Sequence, residues 1–229
     1  MIAKLRRKLV VASMLGLVML VCAGMTQAAD LNLNFSNVFS GDAPSGNSPW
    51  LTANFAQNGA DHVTLTMTAN LQNTSEFISN IYFNLDPVNV PNPGVLSISY
   101  VNGPLYDTIS WGADAFKADG DGYFDLRFGY PVANNGTDRF DGSEVVEFDL
   151  SLAGLTPGYF NFLSVNGNGV GPFTGAAHVQ GIPIPGTTQQ TSGWISDGTG
   201  TVLVPEPATL LLLGLGLFGL GGVARRKKS

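Results

Sequence analysis

Val63-Thr64-Leu65-Thr66-Met67-Thr68-Ala69-Asn70-Leu71 alternates apolar and polar residues without a break. Successive side chains of a strand point to opposite faces, so this period predicts a half-buried β-strand with threonines toward solvent. On a helix the same residues would be scattered around the whole circumference. Similar alternation recurs at residues 31–35, 51–55, 81–85, 96–100, 124–128 and 146–152, and a further strand is expected at 159–165. Gly, Pro, Asn and Asp cluster between these runs, at 41–49, 86–94, 119–122, 134–142 and 154–158, as turns require. The final strands are expected near His178 and near Trp194, and the single helical candidate is short, at 113–118. Eight or nine short strands joined by such turns predict an all-β fold, an antiparallel β-sandwich of jelly-roll-like form, with no repeat of fixed period.

The two ends of the chain have a different composition. Lys4, Arg6, Arg7 and Lys8 precede an apolar stretch over 9–23, and Thr26-Gln27-Ala28 supplies small residues before a cut. This pattern predicts a secretory signal peptide over 1–28, an apolar helix cleaved by signal peptidase after Ala28. At the other end Pro205, Glu206 and Pro207 stand before an uncharged Leu/Gly-rich run at 208–224, and Arg225, Arg226, Lys227 and Lys228 follow it. As a helix that run spans about 25 Å, just short of a hydrocarbon core of about 30 Å. Basic side chains reaching to the headgroups relieve the difference. A single transmembrane helix over 208–224 is therefore expected in the inner membrane, with the basic cluster held in the cytoplasm and the preceding body outside it. The domain plan is a signal peptide at 1–28, a β-sandwich ectodomain at 29–198, a stalk at 199–203 and the terminal segment at 204–228.

The order Pro-Glu-Pro, short apolar span, Arg-rich end resembles the PEP-CTERM sorting signal of exported bacterial proteins. The resemblance implies recognition of Val204, Pro205, Glu206, Pro207, Arg225 and Arg226 by an exosortase, an integral-membrane transpeptidase. It further implies export through the inner membrane, membrane attachment of transient or permanent duration, and then a cell-surface or extracellular location. The stretches 177–181 and 192–195 also resemble a recurring end of PEP-CTERM protein bodies.

Cys22 is the one cysteine and lies in the signal segment, so disulfide scaffolds, thiolate nucleophiles and Cys-zinc sites are excluded from the body. Eight of the eleven basic residues lie in the two ends. Residues 30–204 hold three basic residues, Lys117, Arg127 and Arg139, against sixteen acidic ones, a formal charge of −13. Such a body repels phosphate backbones, so nucleic acid is not an expected partner.

Catalytic motifs are missing: His62 and His178 form no H-x-x-x-H pair, and there is no Gly-x-Ser-x-Gly elbow. No enzymatic activity and no catalytic residue is expected. Asp114, Asp119, Asp121 and Asp125 cluster around Gly120 and Gly122. Hard cations take oxygen ligands and Gly permits tight turns, so structural calcium is the one cofactor reading, against an ordinary Asp-Gly turn. Trp50, Trp111 and Trp194 are candidate stacking platforms for carbohydrate, against ordinary core aromatics. The expected function is that of a non-enzymatic envelope or extracellular-matrix protein, with exopolysaccharide as its ligand class. The alternatives are a carbohydrate- or calcium-binding surface module, a secreted glycoside hydrolase using paired carboxylates, or an ice-binding protein using Thr64, Thr66 and Thr68.

Overall fold

The computed structural model describes residues 28–119, 121–133, 138–165 and 171–198, the side chain of Asp121 excepted. Twelve strands lie within them: β1 Leu31–Phe35, β2 Asn37–Gly41, β3 Leu51–Gln57, β4 His62–Ala69, β5 Phe77–Phe83, β6 Ser97–Asn102, β7 Thr108–Ala118, β8 Asp121–Gly129, β9 Phe140–Asp141, β10 Val145–Ser151, β11 Gly175–Pro183 and β12 Gln190–Ser196. The first sheet has the order β1-β3-β4-β10-β6. The second has the order β2-β12-β11-β5-β8-β7, with β9 added to β5. All pairings are antiparallel. Most connections cross between the sheets, whereas β3–β4, β7–β8 and β11–β12 are paired neighbours within one.

The alternating run at 63–71 is β4, the middle of the first sheet. Val63, Leu65, Met67 and Ala69 are fully buried, and the threonines between them look outward. On that outer face Thr64 lies opposite Asp149 and Thr66 opposite Glu147 on β10, while on β3 Thr68 lies opposite Thr52 and Thr66 opposite Asn54, so carboxylates border the threonine rank on one side. The inner faces of the two sheets meet in one core. Aromatic rings cross it: Phe83 of the second sheet lies 5.2 Å from Phe55 and 6.4 Å from Phe35 of the first. Phe128 and Phe148 meet at 5.0 Å. The second sheet also carries a smaller cluster of Tyr82, Ala118, Phe124, Phe173 and Ala176, with Trp194 and Phe39 packed on it.

Two expected elements differ. Residues 113–118 are not helical but lie inside β7. Six residues are too few to nucleate an isolated helix, and the partner strand β8 supplies the hydrogen bonds. Residues 159–165 do not form a strand. Pro157–Phe160 is a 3-10 turn, and only Val165 pairs, through an isolated bridge to Tyr123. Pro157 and Gly158 start that turn, and Phe160 is held by stacking on Phe55 at 4.4 Å. Strands β2, β7 and β9 were not anticipated at all. No helix among the described residues is long and apolar enough to cross a membrane. The helices expected at 1–28 and 208–224, together with Val204, Pro205, Glu206, Pro207, Arg225 and Arg226, lie outside the described residues, apart from Ala28. Ala28 precedes β1 by three positions, so a cut after it leaves the first strand whole.

Candidate functional site at the β7 bulge

Strand β7 departs from regular pairing in its middle. Trp111 is paired with Leu126 and Phe116 with Phe124, so residues 112–115 stand against the single residue Asp125. Such bulges bend a strand and re-aim its side chains. Asp114 closes this one in the left-handed region at φ 49°, a conformation that aspartate tolerates better than most residues. Its N–H donates to Asp125 Oδ1 at 2.8 Å. The other oxygen, Asp125 Oδ2, accepts the N–H of Leu85 at 2.8 Å. One carboxylate therefore ties the bulge to the loop that leaves β5.

That loop is rich in proline, with Pro87, Pro91 and Pro93. Proline donates no ladder hydrogen bond, so the chain leaves the sheet and wraps its end. Asp86 Oδ1 accepts from the N–H of Val88 at 2.8 Å and of Asn89 at 3.2 Å, closing the first turn. Asn92 Oδ1 accepts the Gly94 N–H at 3.1 Å and caps the 3-10 turn Pro93–Val95. Between loop and bulge lies a cleft of about 190 Å³, lined by Asn84, Pro87, Pro93, Asp114, Asp125 and Leu163 among others. Burial raises Asp125 above the usual carboxylate range, against the pull of the Asp114 and Leu85 N–H groups. The neighbouring charge of Asp114 adds to the rise.

Beside this cleft Trp111 is 45% exposed. Its indole lies against Gly94, where an added β-carbon would come within 3.3 Å of Nε1. Tyr123, Leu163 and Val165 are also exposed around this end of the sheet. Lys117 Nζ sits 5.4 Å from the Tyr123 ring centroid. The arrangement combines a half-open aromatic face with carboxylate and amide groups at its side. Chemically it suits a flat, hydroxyl-bearing ligand.

The protein-family model described as the PEP-CTERM protein-sorting motif matches residues 203–228. The chain carries a PEP-CTERM sorting motif. The PEP-CTERM motif marks the protein as exported, with an exosortase as its processing partner and the cell surface or exterior as its target. No curated protein and no solved structure matches the chain.

In this PEP-CTERM protein the three tryptophans have three different surroundings. Trp111 alone is exposed beside the cleft. Trp50 is 8% exposed and belongs to the inter-sheet core, so it presents no face to a ligand. Trp194 lies on the outer side of the second sheet, stacked on His178 at 4.3 Å and 13°. The acidic cluster divides as well. Asp114 and Asp125 line the cleft, whereas Asp119 follows β7 in the turn before β8 and acts electrostatically on His178. The side chain of Asp121 lies outside the described residues. Among the described residues no three metal-ligating side chains converge. Neither imidazole stands in a triad arrangement: His62 Nδ1 meets Asp149 Oδ2 at 2.9 Å on the exposed outer face of the first sheet. His178 Nδ1 lies 3.0 Å from Ser79 Oγ, but Ser79 is only 1% exposed.

The bulge itself was hidden from sequence reasoning. The one signal for it was the pair Gly112 and Asp114 inside an otherwise strand-like run.

Proposed function

We propose that the β-sandwich is a non-enzymatic component of the cell envelope or extracellular matrix that holds polysaccharide at the Trp111 cleft. The observation that carries this reading is the exposed indole of Trp111, packed on Gly94 next to Pro93 of the cleft that Asp114 and Asp125 line. Sugar rings stack their C–H faces on such an indole, and their hydroxyls donate to neighbouring carboxylates. Export by the sorting motif brings the domain to the compartment where polysaccharide is found. The test is affinity electrophoresis and a glycan array with the secreted protein and its Trp111→Ala variant. Retardation or array binding that falls at least tenfold in the variant supports the cleft; equal binding by both proteins, or none by either, rejects it.

Calcium belongs to the same proposal as a ligand of the cleft, since Asp114 and Asp125 both line it. A melting temperature raised by calcium and not by magnesium supports that reading. An unchanged melting curve at millimolar calcium rejects it.

A further inference from the structure

The outer face of the second sheet carries another concavity, remote in sequence from the β7 bulge. It is a groove of about 480 Å³ lined by Arg139, His178, Gln180, Gln190, Thr191 and Ser192, with no carboxylate in its lining. In a body with sixteen acidic residues against three basic ones, that composition stands out. Each of the six named side chains offers a hydrogen-bond donor.

Arg139 is set in place before any ligand arrives. Its guanidinium carbon lies 3.9 Å from the Phe77 ring centroid, and Nη2 donates to the Val132 carbonyl at 3.1 Å. Nε is buried without an acceptor. Among the described residues the ion pair found is His62–Asp149, so no carboxylate there stands within ion-pair distance of Arg139. His178 is held just as firmly, stacked on Trp194. Its Nδ1 lies 3.0 Å from the Ser79 hydroxyl and 3.4 Å from the Gln180 amide nitrogen. The Gln180 amide can donate to Nδ1, and the Ser79 hydroxyl lies between Nδ1 and the His178 carbonyl, which it meets at 3.3 Å. Burial lowers His178 below the ordinary imidazole value, and the charge of Asp119 opposes this. Asp141, next but one to Arg139 in the chain, is the carboxylate in electrostatic reach of that guanidinium.

We infer that this groove binds the anionic group of an acidic sugar, a carboxylate or a sulfate ester. The guanidinium pairs with the anion, while the glutamine, threonine and serine side chains contact the hydroxyls around it. At physiological ionic strength charges more than about 8 Å apart are largely screened. The net negative charge of the body therefore opposes encounter more than it opposes the bound contact. The site is independent of the Trp111 cleft.

The test is calorimetric titration of the secreted Trp111→Ala variant, in which the proposed cleft contact is removed, with a polyuronate, with dextran sulfate and with neutral dextran. Binding to a charged polymer and not to dextran is expected, weakening as salt rises. The stronger of the two charged polymers identifies the anion. In that background Arg139→Gln is expected to lose at least tenfold in affinity, and His62→Gln, on the outer face of the first sheet, to leave it unchanged. Because Arg139 also packs on Phe77, Ser192→Asp serves as a second variant: it puts a carboxylate into the groove and is expected to abolish binding. Equal binding of neutral dextran, no binding of either charged polymer, or unchanged affinity in folded Arg139→Gln and Ser192→Asp overturns the inference.

Discussion

Asp197 stands immediately after β12, with its carboxylate largely buried and accepting the Gly175 N–H at 3.0 Å. Burial pushes its pKa up to about 6, against the pull of the N–H donors. A raised folded-state value means that the native protein holds its proton longer than the unfolded chain does. Stability linked to this group is therefore present at acid pH and falls as pH rises from the ordinary aspartate value to about 6. A shift of about two units corresponds to about 3 kcal/mol. Asp197→Asn keeps an acceptor for Gly175 and carries no charge. Urea unfolding is expected to find the variant more stable than the native protein at pH 7 and equal to it near pH 4. A parallel pH dependence in the two proteins would sink this assignment. Asp125 makes the contrasting case, because both of its oxygens accept backbone N–H groups. Asp125→Ala leaves the N–H groups of Leu85 and Asp114 without their partners and is expected to cost about 2–4 kcal/mol, read from the urea midpoint. Asp125→Asn keeps one acceptor and is expected to cost less.

Among the elements, β12 is closely packed by backbone. It runs between β11 and β2, and Gly193 sits where β2 ends. A β-carbon on Gly193 would overlap the Asp42 carbonyl, and backbone yields less readily than a flexible side chain. Gly193→Ala is therefore expected to destabilise by about 1–3 kcal/mol and to loosen β2, seen as faster amide exchange in residues 37–41. Uniform exchange along the chain in the variant would contradict this. The elements also mark where sequence patterns stop being informative. The run at 63–71 was legible because one face meets the core and the other meets solvent, which imposes the two-residue period. Strand β7 was not, since it lies at the sheet edge with most side chains exposed and its bulge breaks the period. Strand β2 has the same difficulty, with no buried residue in its five positions. The turn at 157–160 was mistaken for part of a strand because its aromatics are apolar like those of a strand. Phe160 is buried by stacking on Phe55 and not by sheet pairing.

At the scale of the whole molecule, Phe83 joins the two sheets. It touches Phe35 and Phe55 on one side and Phe128 on its own. Phe83→Ala is expected to cost about 3–5 kcal/mol and to lower the thermal midpoint in one transition, since both sheets share the core. Two separate transitions would show that they do not unfold together. Maturation has a similar global readout in the intact mass of the secreted protein. A start at Ala29 and an end upstream of the apolar run at 208–224 are expected, whereas a retained basic cluster would rule out processing there.

The sequence by itself determined the route and the fold class. A sorting signal is read locally, as Pro-Glu-Pro, apolar span and basic end in order, and strand alternation is local as well. Composition also argues against thiol chemistry and nucleic acid binding in the body before any tertiary contact is considered. The tertiary structure decided which candidate residues meet. It separated Trp50, Trp111 and Trp194 into core, cleft edge and outer sheet face, and it split Asp119 from Asp114 and Asp125. It also brought Arg139 beside His178 and Gln180, although these residues are far apart in the chain. No local pattern encodes such meetings, because sheet order and register depend on how all the buried faces pack at once.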